Sequence, residues 1–274
     1  MRRVWCDCTF FILILYNIYI YIIYMSDLQS QKAVKGLNPV VGDEKSKTEK
    51  RVNPVQYYVK FSFSITYIFL LTTATITFIE AMRTPSPTAR HVLNLETAIS
   101  VIAGYFYSTF LEKISAYEKD DKMVDWADMT ATRYIDWSMT TPLMLLVLCV
   151  VLAQNIGKSV TIKVIMGVIV LNYIMLYFGH LGETKAMDRF HAMIFGFVAF
   201  FAMFYLIFIT YIAPKYDKSN YILYWFFLVI WALYGIVYMM NEEYKNIAMN
   251  ILDCIAKCFV GLGLWAYFSK IVVL

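Results

Sequence analysis

The chain has 274 residues, 60% of them hydrophobic and only 16% charged, against about 25% charged in ordinary soluble domains, so it reads as a membrane protein. A net charge of +4, with no basic stripe interleaved with aromatics, excludes a soluble nucleic-acid binder. Five cysteines suggest no disulfide framework: Cys149, Cys254 and Cys258 fall in apolar runs as small packing residues, and Cys6-x-Cys8 lacks partners for zinc, so no metal centre is expected.

Residues 1–24, MRRVWCDCTFFILILYNIYIYIIY, place two arginines before a mostly apolar run. Three readings stay open: a signal peptide, a signal anchor or extra membrane segment, or an extension upstream of a working start at Met25. Residues 25–55 are polar, charged and interrupted by Gly and Pro, the composition of an extracellular tether.

Beyond Pro54, seven stretches reach the roughly 20 mostly apolar residues that a span needs: 56–82, 93–116, 130–153, 160–181, 190–213, 220–240 and 245–270. Their connections are short, as between antiparallel neighbours. The runs are continuous rather than alternating, which argues against a strand-built barrel. Arg83, Arg90, Lys158, Lys163, Lys215, Lys218 and Lys270 all border one set of ends, while the loop EKISAYEKDDKMVDWADM on the other side is acidic. The positive-inside rule therefore puts the amino end outside. The expected fold is an all-α membrane protein, a seven-transmembrane-helix bundle occupying residues 56–274.

Two of these spans carry charge. Span three contains RYIDWSMTTP, with Arg133 and Asp136 three residues apart and Thr140 one turn further; span seven contains LDCIAK, with Asp253 and Lys257 four apart. Each set shares a helix face. An ionised group in hydrocarbon costs roughly 2.5–3.5 kcal/mol, so these groups are paired or have a task. One reading is a structural ion-pair cluster locking helices three and seven. The other is chemical: a desolvated lysine forms a Schiff base with an aldehyde. The resulting cation needs a carboxylate, which Asp136 or Asp253 supplies while Arg133 holds the second negative charge. Such a cluster titrates as a unit.

RYIDWSMTTPLMLL together with LDCIAK resembles the microbial (type 1) rhodopsins, seven-helix retinal proteins, and the likeness covers about residues 56–270. WALYGIVY in span six is similar to a further motif of that family but has Gly235 where a proline is usual. The resemblance implies all-trans retinal attached to Lys257, with Asp136 as primary counterion and proton acceptor and Asp253 as second counterion. It also implies that Trp137, Thr140, Thr141, Trp231 and Tyr234 surround the polyene and that Tyr107 bonds the second counterion. Taken alone, the aromatics are ordinary packing residues.

The activity within that family turns on two positions. Val147, eleven residues after Asp136, replaces the acid that reprotonates the Schiff base in the family's outward proton pumps. Glu96 lies about 16 Å from Tyr107 along span two by helical rise, at the cytoplasmic level near Val147. It either snorkels to the surface, gates a cytoplasmic water path, or serves as a displaced proton donor. Asn250 either lines an outer vestibule or packs with its hydrogen bonds satisfied, and Glu243 roughly matches an acid that releases protons in the family's pumps. The Glu96 stretch resembles the viral rhodopsins of large algal DNA viruses, one group of which is similar to light-gated cation channels. The reading is a light-gated cation channel and not an enzyme, with a light-driven outward proton pump as alternative and a photosensor third. Its partners are then membrane lipid and small cations or protons, its state a homo-oligomer, and its location a membrane of the infected host cell.

Overall fold

The computed structural model describes residues 54–120 and 122–271; the expectations for residues 1–24 and for nearly all of the 25–55 tether fall outside the described residues. Among the described residues there are seven helices and no strand. They are α1 (Pro54–Arg83), α2 (Pro87–Lys119), α3 (Trp126–Asn155), α4 (Ile162–Glu183), α5 (Arg189–Ile212), α6 (Lys218–Val237) and α7 (Glu242–Phe268). Six are long and apolar enough to cross a membrane. The exception, α2, carries Arg90, His91, Glu96, Glu112 and Lys113, and it completes the bundle because its apolar face is buried.

The helix starts follow local chemistry. Pro87 occupies the first turn of α2, where its missing N–H costs nothing, and Ser86 Oγ accepts from Ala89 N at 3.3 Å. Asp125, Asp188 and Asp217 cap α3, α5 and α6 through their side chains. Pro142 interrupts α3. It cannot donate to the carbonyl of Ser138 one turn back, and that carbonyl instead accepts from Tyr173 Oη of α4 at 3.0 Å.

Helices α3 and α7 lie at the centre: 67% and 61% of their most apolar windows are buried, against 17% for α4. The two charged spans are thus the two most enclosed. Helix α7 also contains a π turn, Cys254–Phe259, between its α-helical parts; such turns often mark functional sites.

The two ends of the bundle are held differently. At the end assigned to the outside, Lys60 pairs with Glu118, Lys113 with Asp128, and Lys245 with Glu183 and Glu242. Among the described residues no ion pair joins helices at the inner end, where Asn155 Nδ2 donates to Asn220 Oδ1 at 2.8 Å and Lys158 to the Thr210 carbonyl.

Candidate functional site: a buried lysine between two carboxylates

Lys257 Nζ lies 2.9 Å from Asp253 Oδ1 and 3.4 Å from Asp136 Oδ2, and all three side chains are at most 1% exposed. Asp253 is held from three further helices. Tyr107 Oη of α2 donates at 2.8 Å, Tyr234 Oη of α6 donates at 2.7 Å, and Arg133 Nη1 of α3 stands 3.6 Å away. Asp136 has a thinner shell: besides Lys257, it accepts from Thr140 Oγ1 at 3.4 Å, a hydroxyl bonded more closely to the Asp136 carbonyl at 2.9 Å. Two cations and two carboxylates balance, which is what makes their burial tolerable.

Arg133 is fixed by Asn250 and by three neighbours that the sequence does not single out, Asn246, Phe63 and Phe110. Its Nη2 donates to Asn246 Oδ1 at 3.0 Å and Asn250 Oδ1 at 2.8 Å, and its guanidinium sits 5.3 Å and 5.2 Å from the rings of Phe63 and Phe110. Asn250 also accepts from Tyr107 and donates to Ser62 Oγ. It is fully buried, so of its two sequence readings the geometry corresponds to the hydrogen-bonded one. Asn246 lies seven residues before Asp253, about two turns along the same face; that spacing was the available signal.

From Lys257 a cavity runs outward between α3, α4, α5 and α6, enclosing about 820 Å³ with its mouth included. Trp137, Thr141 and Met144 line it from α3, Met193, Phe197 and Phe200 from α5, and Trp231, Tyr234 and Gly235 from α6. Thr140 and Tyr107 are not among the lining residues; they touch the carboxylates instead. Thr141 Oγ1 accepts from Asn172 Nδ2 at 2.9 Å, a partner missed in the sequence because a lone Asn in an apolar run carries no period. The lining is apolar and aromatic, and its polar end is the lysine. This donor set and this shape fit a long polyene aldehyde joined to Lys257.

Glu96 is not part of that cluster. It is 2% exposed, so the snorkelling reading does not describe it. Its Oε2 lies 3.0 Å from where a Cβ on Gly261 would stand, and Gly261 is one turn past Lys257 toward the inner end. At the outer end, Glu242 and not Glu243 enters the buried network: Lys245, with its side chain 2% exposed, contacts Glu183 at 2.9 Å and Glu242 at 2.8 Å, and Arg189 approaches both acids.

The family model described as "Bacteriorhodopsin-like protein" matches residues 58–271. Among solved structures, viral rhodopsin OLPVRII is 40% identical, covering 78% of this chain and 99% of its own, with a TM-score of 0.72. A thermophilic rhodopsin, at 22% identity over 80% of this chain and 95% of its own with a TM-score of 0.65, shares the fold. A green-light absorbing proteorhodopsin from Gamma-proteobacterium EBAC31A08 is 27% identical over 153 residues, or 50% of this chain. The chain spans 60% of the length of the curated relatives it matches. With a buried lysine at the end of an aromatic cavity and the family match running nearly the length of the bundle, the chain belongs to the bacteriorhodopsin-like family of microbial rhodopsins, integral membrane proteins that bind retinal through a lysine Schiff base.

Proposed function

We propose that this rhodopsin carries retinal on Lys257 and moves protons outward under light, with Asp136 as acceptor and Glu96 as the internal donor. The observation that carries the reading is the burial of Glu96 against Gly261, one turn to the cytoplasmic side of the lysine. Val147 at the usual donor depth is also buried and cannot titrate, so among the described residues Glu96 is the buried acid on that side. When bound, retinal supplies light absorption and an isomerising chain that reorients the lysine nitrogen.

The residues then divide the work. Asp253 is held by two tyrosine hydroxyls and faces Arg133, which fixes it as a stationary negative charge. Asp136 has one weak donor besides the lysine, so it is the carboxylate free to take a proton. Arg133, clamped by Asn246, Asn250 and two phenyl rings, keeps positive charge on the outer side of the pair. Glu96 returns a proton from the inner side, where hydrogen bonds rather than ion pairs tie the described helices together.

The light-gated cation channel, the first expectation from the sequence, becomes the second reading. It is favoured by hydroxyls along α1 and α2, where Thr77 Oγ1 meets Thr97 Oγ1 at 2.8 Å and Thr66 meets the Asn250 carbonyl. Photocurrent against voltage separates the two. A pump gives outward current at every accessible voltage, whereas a channel reverses at the potential set by the ion gradient. In a pump, Glu96→Gln slows dark recovery roughly 100-fold, the scale of a lost proton-transfer group, and azide restores it. Reversing currents in the wild type would remove the pump reading.

A further inference from the structure

Between the inner halves of α6 and α7 lies a second cavity, about 730 Å³ with its mouth included. Its floor is Val151 of α3 with Val260 and Leu264 of α7, all buried. Its rim is Phe226, Phe259 and Gly263, all exposed. A Cβ added to Gly263 would meet nothing within 4 Å, so no neighbouring side chain fills the opening there. Exposed apolar residues this far inside a span face acyl chains, and the cavity is therefore a groove open sideways to lipid.

The groove is graded from apolar to basic. From Phe259 to Tyr267 it follows α7 for about 12 Å by helical rise, most of the roughly 15 Å that one leaflet contributes to the hydrocarbon core. It starts two residues past Lys257 and ends at the inner interface. Its polar residues gather at that end: Asn155, Ser219 and Tyr267, whose hydroxyl donates to Asn155 Oδ1 at 3.4 Å. Just beyond them stand two exposed lysines. Lys218 adjoins Ser219, and the Lys270 N–H donates to the Tyr267 carbonyl at 3.1 Å. Asp217, the acid beside Lys218, is engaged in capping α6, where it accepts from Asn220 N at 3.0 Å. Among the described lining residues none is charged.

We propose that this groove holds one acyl chain of an anionic phospholipid of the inner leaflet, with the lipid's phosphate between Lys218 and Lys270. The apolar length takes the chain, Ser219 and Tyr267 meet the ester region, and the lysines meet the headgroup. Basic sites between transmembrane helices on the cytoplasmic side hold anionic headgroups, and each lysine there is worth about fivefold in affinity. The same lysines argue against a second copy as the occupant. A symmetric pair joined through this face would set them against one another, with no acid among the described lining residues to offset them. The lipid thereby seals the side of the bundle between α6 and α7.

Native mass spectrometry of the retinal-loaded full chain tests this, with dioleoyl phosphatidylglycerol or dioleoyl phosphatidylcholine added at matched concentration. The wild type retains one phosphatidylglycerol in preference to phosphatidylcholine by roughly tenfold or more. Lys218→Gln and Lys270→Gln each lower that preference about fivefold, and together they bring the two lipids near parity. Gly263→Leu fills the groove and loses both lipids, while Gly263→Ala, whose Cβ meets nothing, retains them. The visible band of bound retinal is unchanged in all of these variants, which shows that they fold. A phosphatidylglycerol with a photoreactive group on its acyl chain crosslinks to the α6 and α7 segments that line the groove. Equal retention of the two lipids by the wild type would overturn the proposal, as would undiminished retention in Gly263→Leu. A Gly263→Leu variant that keeps its lipid but changes its oligomeric state would assign the groove to a second copy and overturn it too. A preference that survives loss of both lysines would refute the headgroup site.

Discussion

Asp253 lies closer to Lys257 than Asp136 does, 2.9 Å against 3.4 Å, yet it is Asp136 that has room to change protonation. Asp253 already answers to Tyr107, Tyr234 and Arg133. Asp136→Asn should leave a folded pigment, shift its visible band to the red and abolish the early proton transfer seen by flash spectroscopy. Asp253→Asn strips the charge that balances Arg133 and Lys257. It should cost about 3–5 kcal/mol, the scale for breaking a buried pair, and show as a lowered Tm and poor pigment yield. The assignment fails if the two phenotypes are exchanged.

Attachment at Lys257 has a direct test. Lys257→Ala, expressed with all-trans retinal, should show only the near-ultraviolet absorbance of free retinal, because no other described lysine lines the cavity. A visible band surviving in that variant would place the chromophore elsewhere.

These two tests concern the part of the site that the sequence made plain. Arg133, Asp136, Asp253 and Lys257 sit mid-span, where the cost of a bare charge admits few explanations. Spacing alone then puts each pair on one face. Glu96 was different: near the end of a span, a carboxylate that snorkels and one that turns inward leave the same sequence, and only the packing of Gly261 and Thr73 separates them. Lys245 was passed over for the same reason, since a lysine at a span boundary normally reaches water. The span limits shifted where polar first turns belong to the helix: α2 begins at Pro87 rather than 93, and α7 at Glu242 rather than 245.

The Lys245 network predicts where stability resides. Its ammonium is buried between Glu183 of α4 and Glu242 of α7, and Arg189 of α5 reaches the same two acids. Lys245→Met keeps the apolar stem but leaves two carboxylates to one cation. The loss should approach about 3 kcal/mol, the lower end for an orphaned buried charge because Arg189 still neutralises part of it. Thermal denaturation in detergent measures this. Glu183→Gln combined with Lys245→Met should recover part of the loss; an additive double mutant would show that the groups do not interact.

Gly235 tests how the cavity wall sets the chromophore's surroundings. A Cβ at this position would stand 2.4 Å from Phe197 Cζ and 2.7 Å from its Cε2, so α6 has no side chain where the α5 ring presses against it. Phe197 lines the cavity and stacks on Phe201 at 5.8 Å between centroids, which leaves its ring little freedom to retreat. Gly235→Ala therefore pushes the ring toward the cavity. It should cost roughly 1–3 kcal/mol, as overpacking of a dense interior does, slow retinal uptake and move the visible maximum. Gly235→Pro should do worse, since it also removes an α6 N–H from the helix ladder. Phe197→Ala in the Gly235→Ala background should restore uptake, because the clash is with that ring alone among the nearest atoms. The measurements are the regeneration rate and the absorption maximum of apoprotein mixed with retinal. Independent effects of the two substitutions on both quantities would refute the contact as the cause.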